Sequence, residues 1–172
     1  MEELVEFNEL IQEEVPQKIN DFPNYFYAGF WTRLLAFWVD LICISIVTGG
    51  TIGLVYKIQG FETSHSLITI YGITSLIIYL AYFTLLTKLN DGQTLGKMIF
   101  GIKVVSLEEE TLSWQTVLIR EGVCRFILQT FILGLGYLVA AFTPRKQHVG
   151  DYFSGTSVVI INMVKASNNE TK

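Results

Sequence analysis

Asp40 is the residue of this sequence best placed to do chemistry, because it interrupts a long apolar run. The run extends from Leu34 to Tyr56 and contains no other charged side chain. A carboxylate near the centre of a membrane helix costs roughly 2.5–3.5 kcal/mol on insertion scales, so it must face protein or water, take up a proton or pair with a cation. We therefore take Asp40 as a candidate ion- or proton-binding group, with a structural role in helix packing as the alternative.

Arg33 is a potential partner, seven residues before Asp40 and on the same helical face. Seven residues correspond to about 10 Å along a helix, which is too far for a direct ion pair. We expect a third polar group or water between the two. Tyr79 and Tyr82 of the next apolar stretch can come level with Asp40, where a tyrosine hydroxyl can donate to the carboxylate. The alternative is that both tyrosines serve packing.

Two apolar stretches are long enough to cross a bilayer, which takes about 20 helical residues. They cover 34–56 and 67–87, and the short polar link 57–66 predicts an antiparallel hairpin. The composition agrees, because only 16% of the residues are charged, against about 25% in soluble domains. The sequence therefore predicts an integral membrane protein.

The remainder of the chain predicts smaller elements. Residues 113–125 form a predicted interfacial amphipathic helix, followed by a third membrane segment over 126–142, either fully crossing or re-entrant. The stretches 98–105 and 151–164 are rich enough in β-branched residues to pair as a short cytoplasmic β-hairpin. The predicted fold class is an all-α membrane protein with this small hairpin added.

Charge distribution predicts the orientation and the division of the chain. Three lysines lie between residues 88 and 103, against one in the 57–66 link. By the positive-inside rule the N-terminus is cytoplasmic, in a multi-pass protein of the cell membrane. We divide the chain into an acidic cytoplasmic arm (1–26), a membrane domain (27–162) and a polar tail (163–172).

Several function classes are disfavoured. The net charge of −4 argues against nucleic-acid binding. Cys43 and Cys124 form neither a disulfide framework nor a metal-binding spacing. His65 and His148 are far apart and complete no catalytic motif. We expect no enzyme activity, no cofactor and no metal site.

The ordered motifs of the chain resemble the RDD family of small membrane proteins. They are an Arg at the start of the first helix, an Asp within it, the loop GQTLGK followed by GIKVV, and the late segment DYFSGTSVV; the likeness covers roughly residues 27–160. The family name refers to one arginine and two aspartates. Arg33 and Asp40 match the first two, while Asp151 matches the second aspartate better than Asp91 does. The usual turn after the loop is replaced here by three glutamates, residues 108–110.

The resemblance implies a polar centre of Arg33, Asp40 and Asp151, with supporting residues Tyr79, Tyr82, Gly96, Lys97 and Thr156. A shared centre requires a cytoplasmic tail, which favours the re-entrant third segment.

The implied activity is transport of an ion or small solute, with sodium–proton exchange as one activity proposed for the family. The alternative is a non-transporting membrane interaction or assembly module. The expected partners are the lipid bilayer, and either a second copy of the chain or other membrane proteins.

Overall fold

Two long helices dominate the structure, a computed structural model in which residues 20, 22–61, 66, 69–127, 143 and 145–170 are described. Helix α1 spans Phe30–Gln59, with a wider π-helical turn at Gly49–Gly53. Helix α2 spans Ile70–Leu89 and is capped at its N-terminus by Thr69, whose hydroxyl accepts a hydrogen bond from the Gly72 amide at 3.1 Å. Both helices are long and apolar enough to cross a membrane.

The two helices are antiparallel, as the sequence predicts. The rings of Phe37 and Phe83 lie 6.0 Å apart at one end, and those of Tyr56 and Tyr71 lie 5.2 Å apart at the other. In their most apolar windows only 22% of the α1 residues and 28% of the α2 residues are buried. Most of their apolar surface is therefore free to contact lipid or another protein.

Two similar units, each a short helix followed by a strand, pack at one end of the helix pair. The first consists of α3 (Leu95–Ile99) and β1 (Ile102–Ser106). The second consists of α5 (Val149–Phe153) and β2 (Thr156–Ile160). Helix α4, between the units, begins at Trp114–Val117 and continues as a π-helical turn over Leu118–Cys124. A last helix, α6 (Ile161–Glu170), follows β2.

The strands form an antiparallel two-stranded ribbon centred on the pair Val104 and Val158. In each unit a glycine with positive φ joins helix to strand: Gly101 at 61° and Gly155 at 59°. Residues with a Cβ rarely adopt this conformation, so glycine permits the sharp reversal. Since Val104 and Val158 also occupy equivalent positions in the two units, the ribbon has an approximate two-fold axis at its centre.

The ribbon is joined to the start of α1. The Ala28 amide donates to the Val158 carbonyl at 2.9 Å. One buried apolar cluster lies beneath the ribbon and contains Ala28, Ala36, Ile102, Val104, Leu112, Val117 and Val158. Both units are thereby held at the end of the helix pair where α1 begins.

The predicted mostly helical fold with a small antiparallel sheet is confirmed, with corrections to the strands. Residues 98–99 and 151–153 lie in α3 and α5 rather than in strands, because Thr94 and His148 cap these two short helices. Helix α6, Ile161–Glu170, includes residues 161–164, which we expected in the second strand, and residues 165–170 of the predicted polar tail. The acidic arm up to residue 19, and the third membrane segment beyond residue 127, lie outside the described residues.

Candidate functional site: two linked polar centres

The Asp40 carboxylate lies in a fully buried polar centre and accepts three hydrogen bonds. The donors are the Tyr82 hydroxyl at 2.8 Å, the Thr94 hydroxyl at 2.6 Å and the Gly96 amide at 2.8 Å. Asp40 itself is 1% exposed. This centre therefore joins α1 to both α2 and the first turn of α3.

Gly96 is needed for this close approach. A Cβ built on it would lie 2.0 Å from the Ala36 carbonyl oxygen, far inside van der Waals contact. The preceding Thr94 both caps α3 and donates to Asp40. The local sequence TLGK thus brings a main-chain donor and a hydroxyl donor to the same carboxylate.

A second centre is built on Asp151, in the first turn of α5. One carboxylate oxygen accepts from Arg33 at 2.7 Å. The other accepts from Arg120 Nε at 2.7 Å and from the Thr156 hydroxyl at 3.2 Å. His148 caps the helix, with its Nδ1 accepting from the Asp151 amide at 2.9 Å. Asp151 thereby holds α1, α4 and β2 together around α5.

Glu121 of α4 links the two centres. It pairs with Arg120 and Arg125, and with Lys97 Nζ at 3.2 Å. The Arg125 guanidinium also lies over the Phe83 ring, 3.6 Å from its centroid. Because Arg120 also binds Asp151, a continuous chain of polar contacts runs from Arg33 to Lys97. Lys97 is linked to the Asp40 centre along the main chain, through its neighbour Gly96.

The buried acids of this network outside the spanning helices are held in their charged form. Burial raises the pKa of Asp151, but Arg120 and Arg33 lower it by more, and it stays well below its usual range. Burial also raises the pKa of Glu121, and the surrounding arginine and lysine side chains again lower it by more. Both carboxylates are therefore charged at neutral pH.

The bases next to them respond to burial in the opposite sense. Burial lowers the pKa of His148 to about 4, so its imidazole is neutral at pH 7 and its Nδ1 can accept the capping hydrogen bond. Burial lowers the pKa of Lys97 to about 8, although the charge of Glu121 opposes this shift. Lys97 therefore remains largely protonated at neutral pH.

The structure separates residues that we expected in one centre. Arg33 contacts Asp151, while Asp40 is bound by Tyr82 and by groups of α3. Among the described residues, Arg33 and Asp40 make no contact with each other. Tyr82, rather than Tyr79, donates to Asp40; the Tyr79 ring instead packs edge-on against Phe83.

Asp91, the rival candidate for the second family aspartate, lies elsewhere. It pairs with Lys103 at 3.0 Å, and its side chain is 80% exposed. Of the two aspartates, Asp151 is therefore the one that contacts Arg33. Gly96, Lys97 and Thr156 all belong to the network, in the contacts described above.

Sequence reasoning missed Arg120 and Glu121 as members of the site. It placed them on an interfacial helix, where their charges would meet water. Both are in fact buried, at 5% and 0% exposure. The available signal was the similarity of TLGKMIFGIKVV and HVGDYFSGTSVV, which puts Lys97 and Asp151 at equivalent positions in the two units. If Lys97 and Asp151 are both buried, each needs a partner of opposite charge, and the adjacent Glu121 and Arg120 provide them.

A groove lies between α1 and α2, on the side of Asp40 away from the ribbon. Its volume is about 510 Å³, and its hydroxyl-bearing lining residues are Ser45, Thr48, Tyr71, Ser75 and Tyr79. The hydroxyls of Thr48 and Ser75 are buried and have no hydrogen-bond partner in the part of the chain that the structure describes. The groove is thus a polar recess within an apolar helix pair.

Fold and site together define a class: a small membrane protein whose apolar helix pair carries a buried network of arginine and aspartate at one end. The sequence profile of the RDD family matches residues 27–155. The chain belongs to the RDD family.

Three proteins of Bacillus subtilis (strain 168) are similar to the chain. The uncharacterized membrane protein YteJ is 43% identical over 136 residues, covering 77% of this chain and 80% of YteJ. The uncharacterized protein YckC is 32% identical over 135 residues, with coverage of 76% and 83%. The uncharacterized protein YxaI is 27% identical over 138 residues, with coverage of 69% and 88%. No solved structure matches the chain.

Proposed function

We propose that this chain is a membrane interaction module, in which the charged network is structural and the exposed helix faces bind another membrane protein or a second copy of the chain. We further propose that it is a multi-pass protein of the cell membrane. Its N-terminus and ribbon would lie on the cytoplasmic side, as the excess of lysine after α2 favours.

The observation that carries this proposal is the saturation of the three buried carboxylates by donors of the protein itself. Asp40 accepts from two hydroxyls and one amide. Asp151 is held by two arginines, and Glu121 by two arginines and a lysine. An ion-binding carboxylate needs oxygen lone pairs directed at the ion, and here most of them are directed at donors. This arrangement favours a packing role.

The surface supports a partner at the level of the membrane. Large apolar side chains on both helices are exposed, among them Ile42 and Ile46 on α1 and Ile73 and Ile77 on α2. Helices associate within membranes through close packing and interhelical hydrogen bonds. The hydroxyl-lined groove between the helices offers such hydrogen-bonding groups beside these faces.

Photo-cross-linking in native membranes tests this proposal. A photoreactive amino acid at Ile46 or Ile77 should give a discrete adduct with a second copy or with one other membrane protein. The same amino acid at Glu109, exposed on the loop after β1, is the control and should not give that adduct. Adducts with lipid alone from both helix positions would contradict the proposal.

Transport is the second candidate function, and the groove is the observation that favours it. Its lining begins at Leu41, next to Asp40, and includes Tyr79, about one turn from Tyr82. The unpartnered hydroxyls of Thr48 and Ser75 can solvate a small polar solute or a hydrated ion. Asp40 itself does not line the groove, so transport through it would require a movement that opens the groove to the carboxylate.

A flux assay separates the two functions. The purified chain is placed in vesicles with an imposed pH gradient, and sodium is added. The interaction module should dissipate the gradient no faster than protein-free vesicles. Sodium-dependent dissipation that Asp40→Asn abolishes and Asp91→Asn leaves intact would establish exchange instead.

A further inference from the structure

The first turn of α3 lies well inside the length of the membrane helices. Tyr82 is seven residues before the end of α2, which places it about 10 Å from that end. Its hydroxyl and the Gly96 amide donate to the same carboxylate oxygen of Asp40, each at 2.8 Å. The start of α3 is therefore level with the inner part of α2, rather than beyond its end.

Helix α5 lies at a related position. Asp151 contacts Arg33, about one turn inside the start of α1. The two units are related by the approximate axis through Val104 and Val158, but their helices pack on different neighbours: α3 on α1, and α5 on α4 and β2. Thus α3 lies beside α1, and α5 lies beside α4, joined to the start of α1 by the ion pair of Asp151 with Arg33.

The outward faces of the two short helices are apolar. On α3, Leu95, Met98 and Ile99 are exposed, and on α5, Tyr152 and Phe153 are exposed. We call these five residues the apolar collar. Ile99 is 69% exposed and Phe153 71%. The charged residues of the same helices, Lys97 and Asp151, point inward and are buried.

We propose that the apolar collar is immersed in the acyl chains of the lipid leaflet next to the ribbon. The depth of α3 argues for this placement, and so does the continuity of the collar with α1. Leu35 and Trp38 of α1 are exposed close in the chain to Ala36, whose carbonyl oxygen lies against Gly96. Apolar groups of this size, grouped and exposed to water, are unfavourable, whereas acyl chains accommodate them.

The charge pattern of the loop and ribbon is consistent with the same placement. Asp91 and the three glutamates 108–110 are exposed, and they belong to the turns rather than to the short helices. The collar thus turns large apolar and aromatic side chains outward, while the charged side chains of the same two helices stay buried.

Spin-label accessibility tests the proposal on the full chain in vesicles of phosphatidylethanolamine and phosphatidylglycerol. Ile99→Cys and Phe153→Cys are made separately in a Cys43→Ala, Cys124→Ala background, with Glu109→Cys as the matched aqueous control. Labels at 99 and 153 should collide several-fold more often with oxygen than with a water-soluble nickel chelate. The label at 109 should show the reverse.

Two results of the spin-label experiment would overturn the proposal. Nickel-chelate access at 99 and 153 equal to that at 109 would place the collar in water. Low access to both reagents would place it against protein, such as a second copy. Wild-type chain cross-linked to lipids with a photoreactive group on the acyl chain gives a check that needs no substitution. Adducts should include the peptides of α3 and α5, and adducts confined to α1 and α2 would also refute it.

Discussion

Asp151→Asn is the substitution that most directly tests whether the charged network holds the fold together. The change keeps the size of the side chain and removes its charge. Asp151 binds Arg33 at 2.7 Å and Arg120 at 2.6 Å, and it is completely buried. Both guanidinium groups would then face a neutral amide in a site from which water is largely excluded.

The magnitude follows from the charges of the network. The four basic side chains of the network form ion pairs with only two acidic ones, Glu121 and Asp151, and the substitution would leave Glu121 alone to balance them. Removing one partner of a buried ion pair costs about 3–5 kcal/mol. For a chain of this size, each kcal/mol lowers the melting temperature by about 2–4 °C. We therefore expect a decrease of roughly 6–20 °C.

Asp91→Asn provides the matched control, because it makes the same chemical change in an exposed ion pair. Asp91 binds Lys103 at 3.0 Å with its side chain 80% exposed. Exposed pairs contribute at most about 1 kcal/mol, so a small decrease is expected. The assay is thermal unfolding of each purified variant in detergent, followed by the loss of the monodisperse peak in size-exclusion chromatography.

Equal losses in the two variants would refute the reasoning. A double substitution adds a second check. If the cost arises from an unpaired guanidinium, Arg33→Gln combined with Asp151→Asn should lose less stability than the sum of the single changes. Strict additivity would show that the two groups do not interact.

Three further predictions use the same stability measurement. Gly96→Ala should destabilise by at least about 1–3 kcal/mol, the usual cost of overpacking, because its Cβ would lie 2.0 Å from a main-chain oxygen. The control Gly122→Ala should be tolerated, because its Cβ would meet nothing within 4 Å. Equal effects would contradict the close packing of α3 on α1. Burial lowers the pKa of His148 to about 4 from 6.5, so the unfolded chain binds more protons between these values, and stability should fall as pH decreases from 6.5 to 4. His148→Asn keeps a capping acceptor and should flatten that slope, and an unchanged slope would exclude His148 as its source. Thr94→Val removes a donor to Asp40 and should cost about 1–3 kcal/mol. Thr48→Val removes a hydroxyl that has no partner among the described residues and should be neutral or stabilising. A larger loss of stability in Thr48→Val than in Thr94→Val would contradict the hydrogen-bond assignments.

The sequence predicts the two long helices well, because length and apolar composition decide whether a segment can span a membrane. It predicts their ends less well. The run of apolar residues begins at Leu34, but α1 begins at Phe30 and so includes Arg33. A charged residue at the edge of an apolar run can belong to the helix when tertiary partners neutralise it. Here that partner, Asp151, is 118 residues away along the chain.

The polar face of α4 was misassigned for a related reason. An amphipathic pattern shows that one face of a helix is polar, but not whether that face meets water or other charged groups. Glu121 and Arg125, four residues apart, do pair across one helical turn, with Arg125 Nε at 2.8 Å from the carboxylate. The buried charge of Glu121 is also paired with Lys97, and that of the adjacent Arg120 with Asp151, and these two partners come from the two repeated units. A local pattern contains no information about such distant partners.

The repeated units explain why α4 carries adjacent residues of opposite charge. Lys97 and Asp151 occupy equivalent positions in two units related by an approximate two-fold axis. Two identical charges there would need partners of a single sign and would repel each other across the axis. Opposite charges can instead be bridged by one dipeptide, with Glu121 binding Lys97 and Arg120 binding Asp151. Reversing the charge of Lys97 alone would place it against Glu121, and reversing that of Asp151 alone would place it against Arg120, so each change would bring like charges into contact. The charges of the two units and of α4 therefore have to be complementary at the same time.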